Sequence, residues 1–201
     1  MLDDNFHGNF SFKHLKEIPN GISESLVYLN LSNNKIKDIR NIPRNCREIN
    51  LNYNYIKQIT NIFPTSLRLL ILSNNNLQML DTGLIPRHLK VLDISFNKIS
   101  RIHSLPPYLR IFRIQNNLLT YIDLDRLFHS NYITEINLKG NPLPVVFTEN
   151  KRIAEALIVS RHTKVFTDYK DFNKYNKMLA SILIHKFKER GLVNIIAAFL
   201  G

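Results

Sequence analysis

The chain has 201 residues, 44% of them hydrophobic and 21% charged, which predicts a globular fold of one or two units. Its longest apolar tract, residues 192–200, is half of what a bilayer needs and contains Asn194, so no transmembrane helix is expected. The net charge of +11 favours acidic partners without specifying nucleic acid, because the basic residues are spread along the chain.

The opening MLDDNFHGNF carries two acids where a secretory leader would be basic, and no apolar core follows. A single cysteine, Cys46, excludes an internal disulfide framework. An intracellular protein, not secreted by a classical signal peptide, is therefore expected.

Residues 1–25 are expected to form a degenerate end unit or N-terminal cap. Leu15, Ile18 and Pro19 mirror the closing half of later units, while Phe6, Phe10 and Phe12 supply bulk to cover an open end. From residue 26 to residue 147 one pattern recurs about six times. Its cleanest copy, residues 89–106, has the spacing L-x-x-L-x-I-x-x-N-x-I-x-x-I-x-x-L-P. Successive pattern asparagines (Asn34, Asn54, Asn75, Asn97, Asn117 and Asn141) lie 20, 21, 22, 20 and 24 residues apart. Such a period is the mark of a stacked repeat architecture. Within a unit, Leu89, Leu92 and Ile94 point inward while Val91 and Asp93 alternate outward along a short strand. The fifth unit departs from the proline closure with DLDRLFHSNYI, which predicts a short helix capped by Asp123.

From residue 148 to residue 201 the composition turns helical. Asn150 is placed to cap a helix through Arg161, and residues 164–169 read as an extended link. That link is also β-prone, and a second helix is expected from Asp171 to about Glu189, ended by Gly191, with residues 192–200 as a last buried segment. This region is expected to be a cap over the final repeat. The alternative is a small module that recruits a second partner or an anionic membrane.

The pattern resembles the leucine-rich repeat family, whose motif is L-x-x-L-x-L-x-x-N/C-x-L. The short 20–24-residue period and the I/L-P-x-x-L closure are similar to repeats of the bacterial-effector type. The 25 Asn and 25 Ile point to an AT-rich genome, such as that of a giant virus or an intracellular bacterium. Host cytoplasm would then be the location. The resemblance implies an α/β solenoid, a horseshoe with a concave parallel β-sheet, a mostly extended convex side and a helical C-terminal cap. It also implies that the asparagine column bonds buried backbone groups, a scaffold role.

No enzyme motif is present. The six glycines form no phosphate-binding loop, and the seven histidines form no metal-ligand set. Cys46 stands at a core leucine position and should be inert. The expectation is therefore no catalysis, no metal, no cofactor, no small-molecule substrate and a monomer.

The candidate site is the outward face of the strands. Leu69, Ile71, Val91 and Ile111 form an aliphatic patch across adjacent strands, with Tyr53 and Phe96 at its rim. Tyr28, Glu48, Asp93 and Arg113 complete the expected partner-binding set, Asp93 and Arg113 setting register. Just outside the strands run Arg47, Arg68, Lys90 and Arg110, one per repeat. They make a basic ridge suited to steering an acidic protein. The expected function is a protein-interaction scaffold. Its alternatives are a two-ended adaptor and a basic nucleic-acid or membrane-surface binder.

Overall fold

The computed structural model describes residues 6–128, 132–168 and 170–178. Its spine is an eight-stranded parallel sheet of very short strands in sequential order. The strands are β1 (His7–Asn9), β2 (Tyr28–Asn30), β3 (Glu48–Asn50), β4 (Leu69–Ile71), β5 (Val91–Asp93), β6 (Ile111–Arg113) and β7 (Glu135–Asn137). After them come β8 (Val145–Phe147), β9 (Leu157–Ile158) and β10 (Lys164–Phe166). Strand β9 joins the edge of β7, whereas β8 and β10 pair with each other as a separate two-stranded sheet.

Three-residue strands form here because each offers one inward and two outward side chains. The central residues Leu29, Ile49, Leu70, Leu92, Phe112 and Ile136 are fully buried. The convex side closes the core from behind with Ile36, Ile56, Leu77, Ile99 and Leu119, also fully buried. A single unit could not cover these aliphatics, so stability lies in the interfaces between units. The convex segments are extended apart from a single-turn 3-10 helix at Thr82–Leu84 and the short helix α1 (Leu124–Leu127). Asp123 caps α1 as expected, its side chain accepting from the Arg126 N–H at 3.0 Å.

The asparagine column bonds backbone groups of its own and the preceding unit. Asn75 donates to the carbonyl of Leu72 in its own unit (3.1 Å) and of Leu51 in the preceding one (3.0 Å). Its Oδ1 accepts from the Ile56 N–H at 3.0 Å. Asn34, Asn54, Asn97, Asn117 and Asn141 repeat this three-way staple. Each pairs at least one N–H and two carbonyls at a corner where burial would otherwise leave them without water.

Both ends differ in detail from expectation. At the N-terminus Gly8 occupies the central strand position, where a Cβ would sit 2.5 Å from Leu26 Cδ1. Of the three phenylalanines, only Phe10 packs on the core, while Phe6 and Phe12 are exposed. Phe10 stands 21 residues before Leu31 and fills the matching core position, which leaves no inward place for the other two. At the C-terminus the helix capped by Asn150 is α2 (Lys151–Ala156), which stops five residues short of Arg161. It stops because Leu157 turns extended and bonds into the main sheet opposite Ile136. The stack therefore gains a further unit beyond the last recognisable motif.

The segment expected as a β-prone or extended link contains β10, paired in parallel with β8. Residues 170–178 are helical, capped by Asp168 rather than Asp171, with Asp168 Oδ1 accepting from the Lys170 N–H at 2.6 Å. Phe172 stacks on Phe147 at 4.7 Å between centroids, and Tyr175 lies 5.0 Å from Phe166, so this helix lies over the β8–β10 sheet. The expected continuation to Glu189 and the apolar segment 192–200 lie outside the described residues. So does the part of the fifth-unit insertion at residues 129–131. Among the described residues no helix is long and apolar enough to cross a membrane.

Candidate interaction surface

The strand register brings the expected patch together. Leu69 pairs with Val91 and Val91 with Ile111, while Ile71 pairs with Asp93 and Asp93 with Arg113. All four aliphatics are half-buried on the outward face, as the alternating pattern of β4, β5 and β6 requires. Tyr28 and Glu48 continue the first outward column toward the N-terminus.

The second outward column shows what Ile71 gives up. Asn9, Asn30, Asn50, Asp93 and Asn137 stand there in other units, and each accepts the N–H two residues on at 3.0–3.1 Å. This is an Asx turn that leads the chain out of the strand. Ile71 cannot make it and places an aliphatic chain on the face instead. Asp93 is also less available than expected, since Oδ1 takes both the N–H (3.0 Å) and the hydroxyl (2.6 Å) of Ser95. Arg113, the other departure, is gripped by Glu135 through Nε–Oε1 at 2.7 Å and Nη2–Oε2 at 3.1 Å. That bidentate bond pushes its pKa further up and fixes the guanidinium at the patch border. Two residues on, the buried Gln115 Oε1 has no hydrogen-bond partner among the described residues.

Tyr53 and Phe96 do not lie on the sheet face. They occupy the corner column Asn33, Tyr53, Asn74, Phe96, Asn116 and Gly140, where φ is between 52° and 75° in every unit. Asparagine and glycine tolerate this left-handed conformation, whereas a bulky aromatic is strained by about 1 kcal/mol. Sequence reasoning placed both at the rim of the patch but missed the left-handed backbone, although the alternation of Asn and Gly with aromatics at one repeat position carried the clue.

The basic column is aligned by the backbone. The N–H of Arg68 donates to the Arg47 carbonyl (2.7 Å), that of Lys90 to Arg68 and that of Arg110 to Lys90 (both 2.8 Å). The side chains are not uniform. The guanidinium of Arg68 folds back onto the carbonyls of Thr65, Ser66 and Leu67, and Lys90 Nζ lies over the Tyr108 ring at 5.1 Å. Tyr108 in turn stacks on His88 at 5.3 Å, so an aromatic file backs the ridge. Cys46 is fully buried, and burial pushes its thiol up to about 11. Among the described residues no group of three or more His, Cys, Asp or Glu could hold a metal ion.

Two family models, both described as leucine-rich repeats, match residues 25–46 and 86–100. The chain is a leucine-rich repeat protein. It is 27% identical over 164 residues to human oligodendrocyte-myelin glycoprotein, covering 67% of this chain and 37% of that one. It is 29% identical over 126 residues to Toll-like receptor 2 of Bubalus bubalis, covering 59% of this chain and 15% of the receptor. The leucine-rich repeat chain thus spans about a third or less of these relatives' lengths. Among solved structures it is similar to the leucine-rich repeat domain of a Shigella effector, with TM-score 0.58, 18% identity and coverage of 81% and 83%. It is similar also to YopM from Yersinia enterocolitica, with TM-score 0.55, 24% identity and coverage of 76% and 36%. These likenesses establish the repeat fold.

Proposed function

We propose that this protein is a non-catalytic interaction scaffold that seats a protein partner on its concave sheet. Ile71 carries the reading. At a position where other units spend an asparagine or aspartate on the turn, it exposes an aliphatic chain beside Leu69, Val91 and Ile111. A preformed patch of this kind, bordered by the fixed Arg113–Glu135 pair, suits a hot spot with a polar rim. The ridge of Arg47, Arg68, Lys90 and Arg110 supports an acidic partner, whose approach it would accelerate. Binding as a monomer inside the cell accords with this reading.

The described helix at residues 170–178 spends Phe172 and Tyr175 on the β8–β10 sheet, which favours the cap over the second-partner module. The test is co-purification from the native cell with wild type and with Ile71→Glu/Val91→Glu. The double variant should keep the wild-type melting temperature, because both side chains face outward. It should lose a partner at least about 100-fold, since two charges would be forced against a desolvated patch. A partner retained equally by both proteins would refute the concave site. A partner whose affinity collapses with salt and with Arg68→Glu, yet ignores the double variant, would mean polyanion binding instead.

A further inference from the structure

Two of the strained aromatics of the corner column, Tyr53 and Phe96, frame a groove apart from the aliphatic patch. Tyr53, Tyr55 and Phe96 stand around Asn74 and Asn76 in a shallow trough of about 400 Å³, and none of its lining residues is charged. The rings are open to solvent, with Tyr53 55%, Tyr55 52% and Phe96 49% exposed. Tyr53 and Phe96 lie two units apart, a span of about 10 Å at the strand spacing. Asn74 occupies the corner between them.

The polar groups of the trough divide into two sets. The deep amides of Asn54 and Asn75 are consumed by the backbone staple. The backbone N–H groups along the corner are consumed as well. The N–H groups of Tyr53, Asn74 and Phe96 donate to the carbonyls of Ser73, Ser95 and Gln115, and those of Tyr55 and Asn76 to Ile36 and Ile56. A peptide could not add here as a strand, because these N–H donors, which its carbonyls would need, are already bonded. What remains for a ligand is side-chain chemistry. Asn74 Nδ2 donates to Asn52 Oδ1 at 3.0 Å, which leaves the Asn74 carbonyl oxygen free. The Asn76 amide and the hydroxyls of Tyr53 and Tyr55 complete the set.

We propose that this trough binds a neutral oligosaccharide, whose C–H faces lie on the Tyr53 and Phe96 rings while its hydroxyls bond the Asn74 and Asn76 amides. Aromatic faces take apolar C–H surface, and amides and phenols both give and accept hydrogen bonds as sugar hydroxyls require. Absence of charge in the lining disfavours phosphorylated or acidic ligands. The site is independent of the proposed protein-binding patch, which lies on the sheet face rather than at the corner.

The experiment uses the full chain on an array of neutral oligosaccharides from the chito-, cello-, manno- and malto- series. It is run beside Tyr53→Asn/Phe96→Asn, which restores the residue other units use at this corner. The array is followed by titration of the best probe. Wild type should bind at least one series, and the variant should lose at least about ten-fold in affinity while melting no lower than wild type. Glycan binding equal in both proteins would overturn the proposal, as would the absence of any bound probe. A peptide library arrayed in parallel gives the other outcome: a peptide bound by wild type and lost in the variant, with no sugar bound, would overturn the proposal in favour of a peptide groove. Retention of the same glycans by Ile71→Glu/Val91→Glu is expected, which keeps this test separate from that of the sheet patch.

Discussion

Between Leu26 and Leu143 every unit is fastened to its neighbour by the same asparagine staple, yet beyond Leu143 the stack continues without one. Leu157 pairs with Ile136 at an offset of 21 residues, and at that offset His162 stands where the staple asparagine would be. His162 is exposed, and its described bond is accepted from Arg161 Nε at 3.1 Å. The C-terminal unit is held by other means. Thr148 and Glu149 bond to Asp125 of α1, the Asn150 side chain caps α2, and β8 pairs with β10. Strand continuation therefore needs only the period and one inward aliphatic. The staple governs how strongly consecutive units are coupled.

That contrast breaks most sharply at an interior staple. Asn75→Ala leaves the Ile56 N–H and the Leu51 and Leu72 carbonyls without their side-chain partner in a dry corner. The expected loss is about 3 kcal/mol, read from the denaturant midpoint. Asn76→Ala, one residue away and half-buried at the groove, should stay within about 0.5 kcal/mol of wild type. Equal effects at the two positions would mean that the staple is not what couples the units.

A smaller effect is expected at the end. Asn150→Ala removes the cap that accepts from the Arg152 and Ile153 N–H groups at 3.0 and 3.3 Å, worth about 1 kcal/mol. The Leu138 N–H, bonded to the Ile158 carbonyl at 2.8 Å, should then exchange about five-fold faster with solvent. The Leu72 N–H, bonded to Asp93 at 2.7 Å, should be unaffected. If both amides quicken together, the terminal unit is no separate opening unit and the comparison fails.

Most of the sheet was legible because the repeat announces itself. One asparagine per turn among aliphatics at fixed offsets fixes the strand, the corner and the facing of each side chain. The outward columns and the basic ridge follow by counting alone. The terminal units were harder because the residues that identify a repeat are those missing there. Gly8 and Phe10 stand for leucines at one end, and Ala154 and His162 for leucine and asparagine at the other. The 21-residue spacing of Ile136 and Leu157 was available, but the helical composition of residues 151–161 outweighed it. Side-chain availability was not legible either. Nothing in the pattern says that Glu135 holds Arg113 or that Ser95 engages Asp93.

The corner column separates what the fold needs from what it tolerates, and it gives the smallest expected effect. Asn33, Asn74 and Asn116 show the residue that suits φ near 55° at this point of the turn, and Phe96 replaces it at φ 52°. Phe96 makes no compensating burial, being half exposed with its ring in the groove. Phe96→Asn should therefore stabilise the protein by about 0.5–1 kcal/mol, since the substitution relieves a left-handed bulky residue without opening a cavity. Differential scanning calorimetry on the full chain would resolve the rise. A fall in melting temperature would mean that the ring supports the fold, and its exposure would lose the functional meaning given to it. A rise, together with loss of ligand at the corner, would mean that stability is given up there for recognition.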